Sequence, residues 1–159
     1  KIDITEIVKD DFVFPTVGDN KLREYLILFF KEKELKQFSI VDPSAIVSKS
    51  VKIDNSTFIG PNCILNNSTE ISEGVIINSG SIIEHDCRIK SYSQIGPGAV
   101  LSGNVSVGKN CLIGANSTII QNISICDKVT LGAGGVAVKN ISKKGIWVGN
   151  PIKKIKDEQ

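Results

Sequence analysis

The chain of 159 residues has no methionine, one tryptophan and one histidine, His85. A single imidazole cannot furnish a three-histidine metal site within a subunit, so a metal enzyme of the carbonic anhydrase type is discarded and no metal is expected. Without a methionine, Lys1 is not expected to be the natural start. Aromatic residues are only 6%, while Ile, Val, Ser, Asn and Gly crowd the middle. That balance argues for many short strands and against a helical bundle. No apolar run approaches the ~20 residues of a spanning helix, and no signal peptide opens the chain. The charge is almost even, 19 basic against 17 acidic residues, which excludes nucleic acid or an acidic membrane as a partner held by bulk electrostatics. Cys63, Cys87, Cys111 and Cys126 form no CxxC pair, so neither a zinc knuckle nor a redox motif is indicated. Free thiols agree with a cytoplasmic setting.

What is present is a repeat. Every sixth residue from Val41 through Val47, Ile53, Ile59, Leu65, Ile71 and Ile77 to Leu131 is Ile, Leu or Val, sixteen slots without an insertion. The residue after each aliphatic is usually small or polar, as in Gly60, Asn66, Asn78, Gly96, Gly108 and Gly114. The residue two before it is also small, as in Ala45, Thr57, Cys63, Ser81, Cys87 and Cys111. A short strand and a corner every six residues account for both patterns. The aliphatic points inward, small residues fit the corners, and Gly or Asn relaxes the turn. Period six is neither a helical stripe nor long-strand alternation; it is a solenoid. Three strands close a triangular coil of 18 residues, about five coils over residues 41–140. Ala137 marks the decay of the pattern. Cys63, Cys87 and Cys111 share one corner slot and read as packing.

Residues 1–40 differ. Phe12–Val17 reads as a strand and Gly18-Asp19-Asn20 as a turn. Leu22, Tyr25, Leu26 and Phe29 then follow at helical spacing, with Asp19 or Asn20 as the cap. This is either half of a nucleotide-binding α/β unit or a small packing module. Residues 141–159 carry five Lys against Asp157 and Glu158; such a tail fits a phosphorylated cofactor or is simply a solvated terminus.

The only imidazole lies in Asn78-Ser-Gly-Ser-Ile-Ile-Glu-His-Asp-Cys-Arg88. His85 follows the inward Ile83 by two positions, which places it near a corner and within reach of the outer surface. Glu84 and Asp86 flank it with carboxylates able to orient the ring and raise its basicity.

Residues 11–155 resemble the hexapeptide-repeat sugar acetyltransferases, in the subfamily of UDP-N-acetylbacillosamine N-acetyltransferases and sialic acid O-acetyltransferases. The matching segments are Val17-Gly-Asp-Asn-Lys-Leu-Arg23, Asp42-Pro-Ser-Ala-Ile-Val47, the histidine segment from Asn78, Gly103-Asn-Val-Ser-Val-Gly108, Gly114-Ala-Asn116 and Val148-Gly-Asn-Pro151. The resemblance implies a mainly β fold, a left-handed parallel β-helix of about five coils over 41–140. An incomplete, Rossmann-like α/β unit over 1–40 would precede it, and an extension over 141–159 would follow. It implies acetyl-CoA as co-substrate and a homotrimer with the coenzyme between neighbouring prisms. His85 is implied as general base, Asp86 as its orienting carboxylate, and Gly103 as the oxyanion donor, with His85 and Gly103 placed on the same or on different subunits. Ala115 and Ala133 are implied as backbone contacts to the coenzyme. Gln94 stands where relatives have a second histidine near it, and Asp86 where they often have Glu. Gly18, Lys21 and Asn78 are implied at the sugar substrate. The Gly-rich turn with which the family begins does not occur in residues 1–40, so a trimmed chain or a different hold on the acceptor is expected.

The resulting expectation is direct transfer of acetyl to the amino group of a nucleotide-linked amino sugar for bacterial surface glycans. The alternatives are O-acetylation of sialic acid or another sugar hydroxyl, and a non-catalytic solenoid scaffold.

Overall fold

The computed structural model describes residues 11–157. The expectations for the first ten residues and the last two lie outside that range.

A small α/β unit comes first. Strand β1 (Phe12–Val13) pairs in parallel with β2 (Lys36–Gln37), and helix α1 (Asn20–Glu32) connects them. The strand is shorter than the expected Phe12–Val17, because Pro15 lacks the N–H a ladder needs. Asp19 is the N-cap; its carboxylate accepts from the Leu22 N–H at 2.8 Å. The buried side of α1 is Arg23, Leu26, Ile27 and Phe30. Leu22 and Tyr25 of the expected stripe are instead exposed. The buried stripe runs one position later than expected, because an arginine stands at its start.

As far as Ala137 the rest is a stack of short strands, nearly all of two residues with four-residue corners, winding into three sheets of parallel strands. Through Ala137 each coil pairs with the next at 18 residues, as in Ile64↔Ile82↔Val100, and the last turn pairs at 16, as in Val129↔Gly145 and Ile125↔Ile141. This is the left-handed parallel β-helix. It has about six turns where five were expected, because the ladder begins at Ile40 and continues beyond Leu131. Ala137 is fully buried in the inward slot, and Ile141 bridges to Ile125 in the coil below. The inward position therefore still holds at Ala137 with a smaller side chain, and the sixfold spacing ends after it, where the next slot is the exposed Lys143. From Ile59 to Leu131 every aliphatic slot is buried, whereas Val41 is exposed and Val47 and Ile53 are half-buried at the open lower end.

The corners hold a second correction. A positive φ recurs every six residues at Ser56, Asn62, Ser68, Gly74, Gly80, Asp86, Tyr92, Gly98, Asn104, Asn110, Asn116, Asn122, Lys128 and Gly134. The slot that relaxes the turn is thus three residues before the aliphatic, and Gly and Asn dominate it because they tolerate that conformation. The glycines directly after the aliphatic serve another need. A Cβ on Gly108 would lie 2.5 Å from the Asp127 nitrogen, and one on Gly114 would lie 2.5 Å from the Ala133 nitrogen. They are glycine because the next coil passes too close for a side chain.

The three faces differ only in their outward residues. Face I carries Ile40, Phe58, Ile76, Gln94, Leu112 and Thr130, and ends in the hairpin Gly145–Gly149 with Ile152–Lys156. Face II carries Ile46, Ile64, Ile82, Val100, Thr118 and Val136. Face III carries Lys52, Glu70, Arg88, Ser106 and Ser124, with Lys52 at 3.1 Å and Arg88 at 3.6 Å from the Glu70 carboxylate. Helix α1 sits at the corner between faces III and I, where Ile27 and Tyr92 pack over Gly74.

The two glycine slots respond differently to substitution. Gly80 is left-handed with open space around its missing Cβ, so Gly80→Asn leaves the melting temperature essentially unchanged. Gly108→Ala costs about 1–3 kcal/mol from overpacking, read as a lowered melting temperature by circular dichroism.

Candidate active site

The regular corner between faces II and III builds the histidine site. The His85 ring projects outward, about 61% exposed, and Asp86 takes the left-handed slot with φ of 61°. The Asp86 Oδ2 lies 2.8 Å from His85 Nδ1. With Nδ1–H donating to that carboxylate, Nε2 bears the lone pair, and no partner holds it among the described residues. One coil above stands Gly103, whose absent Cβ would be 2.6 Å from His85 Nε2 and Cε1. Gly103 is therefore glycine because the imidazole occupies its side-chain space. Its carbonyl accepts from Asn122, while its N–H donates to nothing among the described residues. His85 and Gly103 are thus stacked neighbours within one chain, rather than a pair needing two subunits.

The corner between faces I and II is built from glycines. Gly60, Gly96, Gly114 and Gly132 recur in one vertical column that only Asp42 and Asn78 interrupt. The missing side chains keep the backbone bare: a Cβ at Gly96 would stand 2.7 Å from the Ala115 nitrogen. The N–H groups of Ala115 and Ala133 have no acceptor among the described residues. Pro61 and Pro97 occupy the same slot, which shows that the coil itself does not need that N–H.

The remaining candidates gather over face I. A cleft of about 260 Å³ is lined by Gly18, Asp19, Lys21, Gln94, Asn110 and Leu112 among others. A second lobe of about 330 Å³, chiefly apolar, is lined by Phe14, Pro15, Phe58, Ile76, Asn78 and Gln94 among others. Gly18 and Gln94 belong to both. The structure therefore brings Gly18, Lys21, Asn78 and Gln94 together, with Ala115 and Ala133 at the adjoining corner. It does not bring them to His85, Asp86 and Gly103, which lie across the whole width of face II.

Comparison with known proteins identifies the repeat and the fold. Residues 68–103 match the family model described as bacterial transferase hexapeptide (six repeats), and residues 104–137 the hexapeptide repeat of succinyl-transferase. No curated protein sequence matches the chain. Among solved structures, perosamine N-acetyltransferase from Caulobacter crescentus, in complex with CoA and GDP-perosamine, superposes with a TM-score of 0.90. It shares 30% identity, over 92% of this chain and 70% of that one. The chain belongs to the hexapeptide-repeat sugar acetyltransferases. The acetyltransferase domain of PglB from Neisseria gonorrhoeae gives a TM-score of 0.91 at 28% identity, over 95% and 74% of the two chains. WeeI from Acinetobacter baumannii shares the fold, with a TM-score of 0.90 at 22% identity over 96% and 74%.

The chemistry of this acyltransferase does not run through its cysteines. Cys63, Cys87 and Cys111 are fully buried, and their thiols point at carbonyl oxygens, Cys87 Sγ at Ser102 O over 3.3 Å and Cys111 Sγ at Cys126 O over 3.2 Å. Burial pushes all four thiols up, Cys111 to about 12, which suppresses the thiolate. Among the described residues no group of three or more His, Cys, Asp or Glu stands together to hold a metal, and no helix is long and apolar enough to cross a membrane. The sequence reading missed the glycine column, although its 18-residue spacing was visible, and missed Phe14, Phe58 and Ile76, which only the folding of residues 14–18 over face I brings together.

A thiol-reactive disulfide reagent added to the native acetyltransferase is expected to label the half-buried Cys126 first and the other three only on unfolding. Rapid native labelling of Cys87 would contradict its placement.

Proposed function

We propose that the protein transfers acetyl from acetyl-CoA directly to the amino group of a nucleotide-linked amino sugar, in the cytoplasm and for surface glycan synthesis. The observation that carries this is His85, held through Nδ1 by Asp86 with Nε2 open against the side-chain-free Gly103. On this reading His85 Nε2 takes the proton from the attacking amine, and Asp86 stabilises the imidazolium that forms. The unused Gly103 N–H faces the oxygen that becomes negative. The bare N–H groups of Ala115 and Ala133 suit the amide-bearing arm of the coenzyme, whose thiolate leaves. Gly18, Lys21 and Asn78 hold the acceptor, with the lysine beside its phosphates. Gln94 lies between the two substrates. The CoA and GDP-perosamine complex of the Caulobacter relative supports the same pair of ligands.

The working unit on this reading is a homotrimer. Face II is a ladder of side chains, aliphatic but for Thr118, that none of the described residues covers, with Ile46 about 66% exposed, while face III is charged and face I is roofed by residues 14–20. A face turned to a threefold axis sets its two bounding corners against two different neighbours. The His85 corner of one copy then meets the Ala115 corner and the cleft of the next, and the separated halves become one site.

Mass spectrometry of reactions with acetyl-CoA and a panel of amino nucleotide sugars is expected to show acetylated product. His85→Ala should slow turnover on the order of 10²–10⁴-fold. Product formed at the parent rate by that variant would remove the base from His85. Ala115→Pro deletes one N–H in a slot where proline already follows glycine twice; the variant should fold and raise KM for acetyl-CoA without changing KM for the acceptor.

A further inference from the structure

Arg23 is fully buried, and no carboxylate bonds its guanidinium among the described residues. Its Nε donates to Gly74 O at 2.7 Å and its Nη2 to Tyr92 O at 2.8 Å. Those two carbonyls belong to successive coils at one corner, and neither accepts a backbone bond from another coil among the described residues. Its Nη1 donates to Val17 O at 3.1 Å and Gly18 O at 3.0 Å, and Nη2 also reaches Asn20 Oδ1 at 2.7 Å. The side chain therefore ties the turn that precedes α1 to two stacked coils. Desolvation brings it down to about 10, and it remains charged at neutral pH. A lysine keeps the charge but cannot span the same acceptors, because its three protons radiate from one atom.

That turn supplies Gly18 to both lobes of the cleft and starts the helix that carries Lys21, while Gln94 on the opposite wall follows Tyr92 by two residues. We propose that Arg23 is a positioning residue for the acceptor pocket, fixing the distance between the Gly18–Lys21 wall and the Gln94 wall by bonding both. This rests on the reading of that cleft as the acceptor site. Arg23 touches neither substrate; it acts through the Val17 and Gly18 carbonyls.

The test compares the parent, Arg23→Lys, Arg23→Gln and Ile27→Val, the last loosening α1 on the same corner without touching the turn. The expected result for Arg23→Lys is a KM for the amino nucleotide sugar raised about tenfold, with kcat and KM for acetyl-CoA within about twofold. Arg23→Gln should move the same constant further, and Ile27→Val should leave it in place. Amide hydrogen exchange should quicken at residues 17–22 in Arg23→Lys and stay unchanged in the coils. An unmoved acceptor KM, an equal change in all constants, or the same shift in Ile27→Val would overturn the proposal. If the parent acetylates no sugar in the panel, the reading of the cleft fails instead. Exchange at residues 17–22 then decides the role of Arg23 alone, and unaltered exchange there would overturn it.

Discussion

The β-helix and the site on it depend on the parallel hydrogen bonding of each coil to the next, in an 18-residue register as far as Ala137. Residues 18 apart stand one above another at the ~4.8 Å of paired strands, so the fold turns a distance along the chain into a vertical contact. His85 lies against Gly103 for that reason, and the Ala115 and Ala133 nitrogens are aligned for the same reason. The register also explains the intolerance of side chains at Gly108 and Gly114, whose Cβ positions fall onto the backbone above. A one-residue slip anywhere in the stack would separate the imidazole from its glycine and turn aliphatic side chains out of the core.

Within that frame the outward strand slot varies freely, and its content decides what each face does. Charged residues on face III keep it in water, and uncovered aliphatics on face II invite a second copy. On face I, Phe58 and Ile76 receive the segment 14–20 and form a cleft with it. The two halves of the proposed site flank face II, so in the proposed trimer the surface that associates and the chemistry it completes are set by the same ladder.

The sixfold aliphatic period made the solenoid legible in the sequence, because a two-residue strand has one inward position and tolerates no gap. His85 was legible as the one imidazole beside a carboxylate, and the burial of the corner cysteines followed from their shared slot. The distinction between the two glycine slots was not legible. Gly80 and Gly108 look alike in composition, yet one answers to a positive φ and the other to an approaching backbone, and only the coil above separates them. The buried face of α1 was misread because Arg23 satisfies its charge on carbonyls from residues 17 to 92, a coincidence of three chain segments that no local pattern records. The coil count fell short for a similar reason. Ala137 departs from the aliphatic pattern but not from its position.

In the proposed trimer one prism holds two half-sites which meet only between copies. Mixing tests it most directly: His85→Ala and Lys21→Glu proteins, each inactive, are dissociated together, reassociated and assayed. Activity recovered in the mixture and absent from either protein alone is the predicted result, since some interfaces then join an intact His85 corner to an intact cleft. A mixture that forms mixed oligomers yet stays as inactive as its parts would contradict the account.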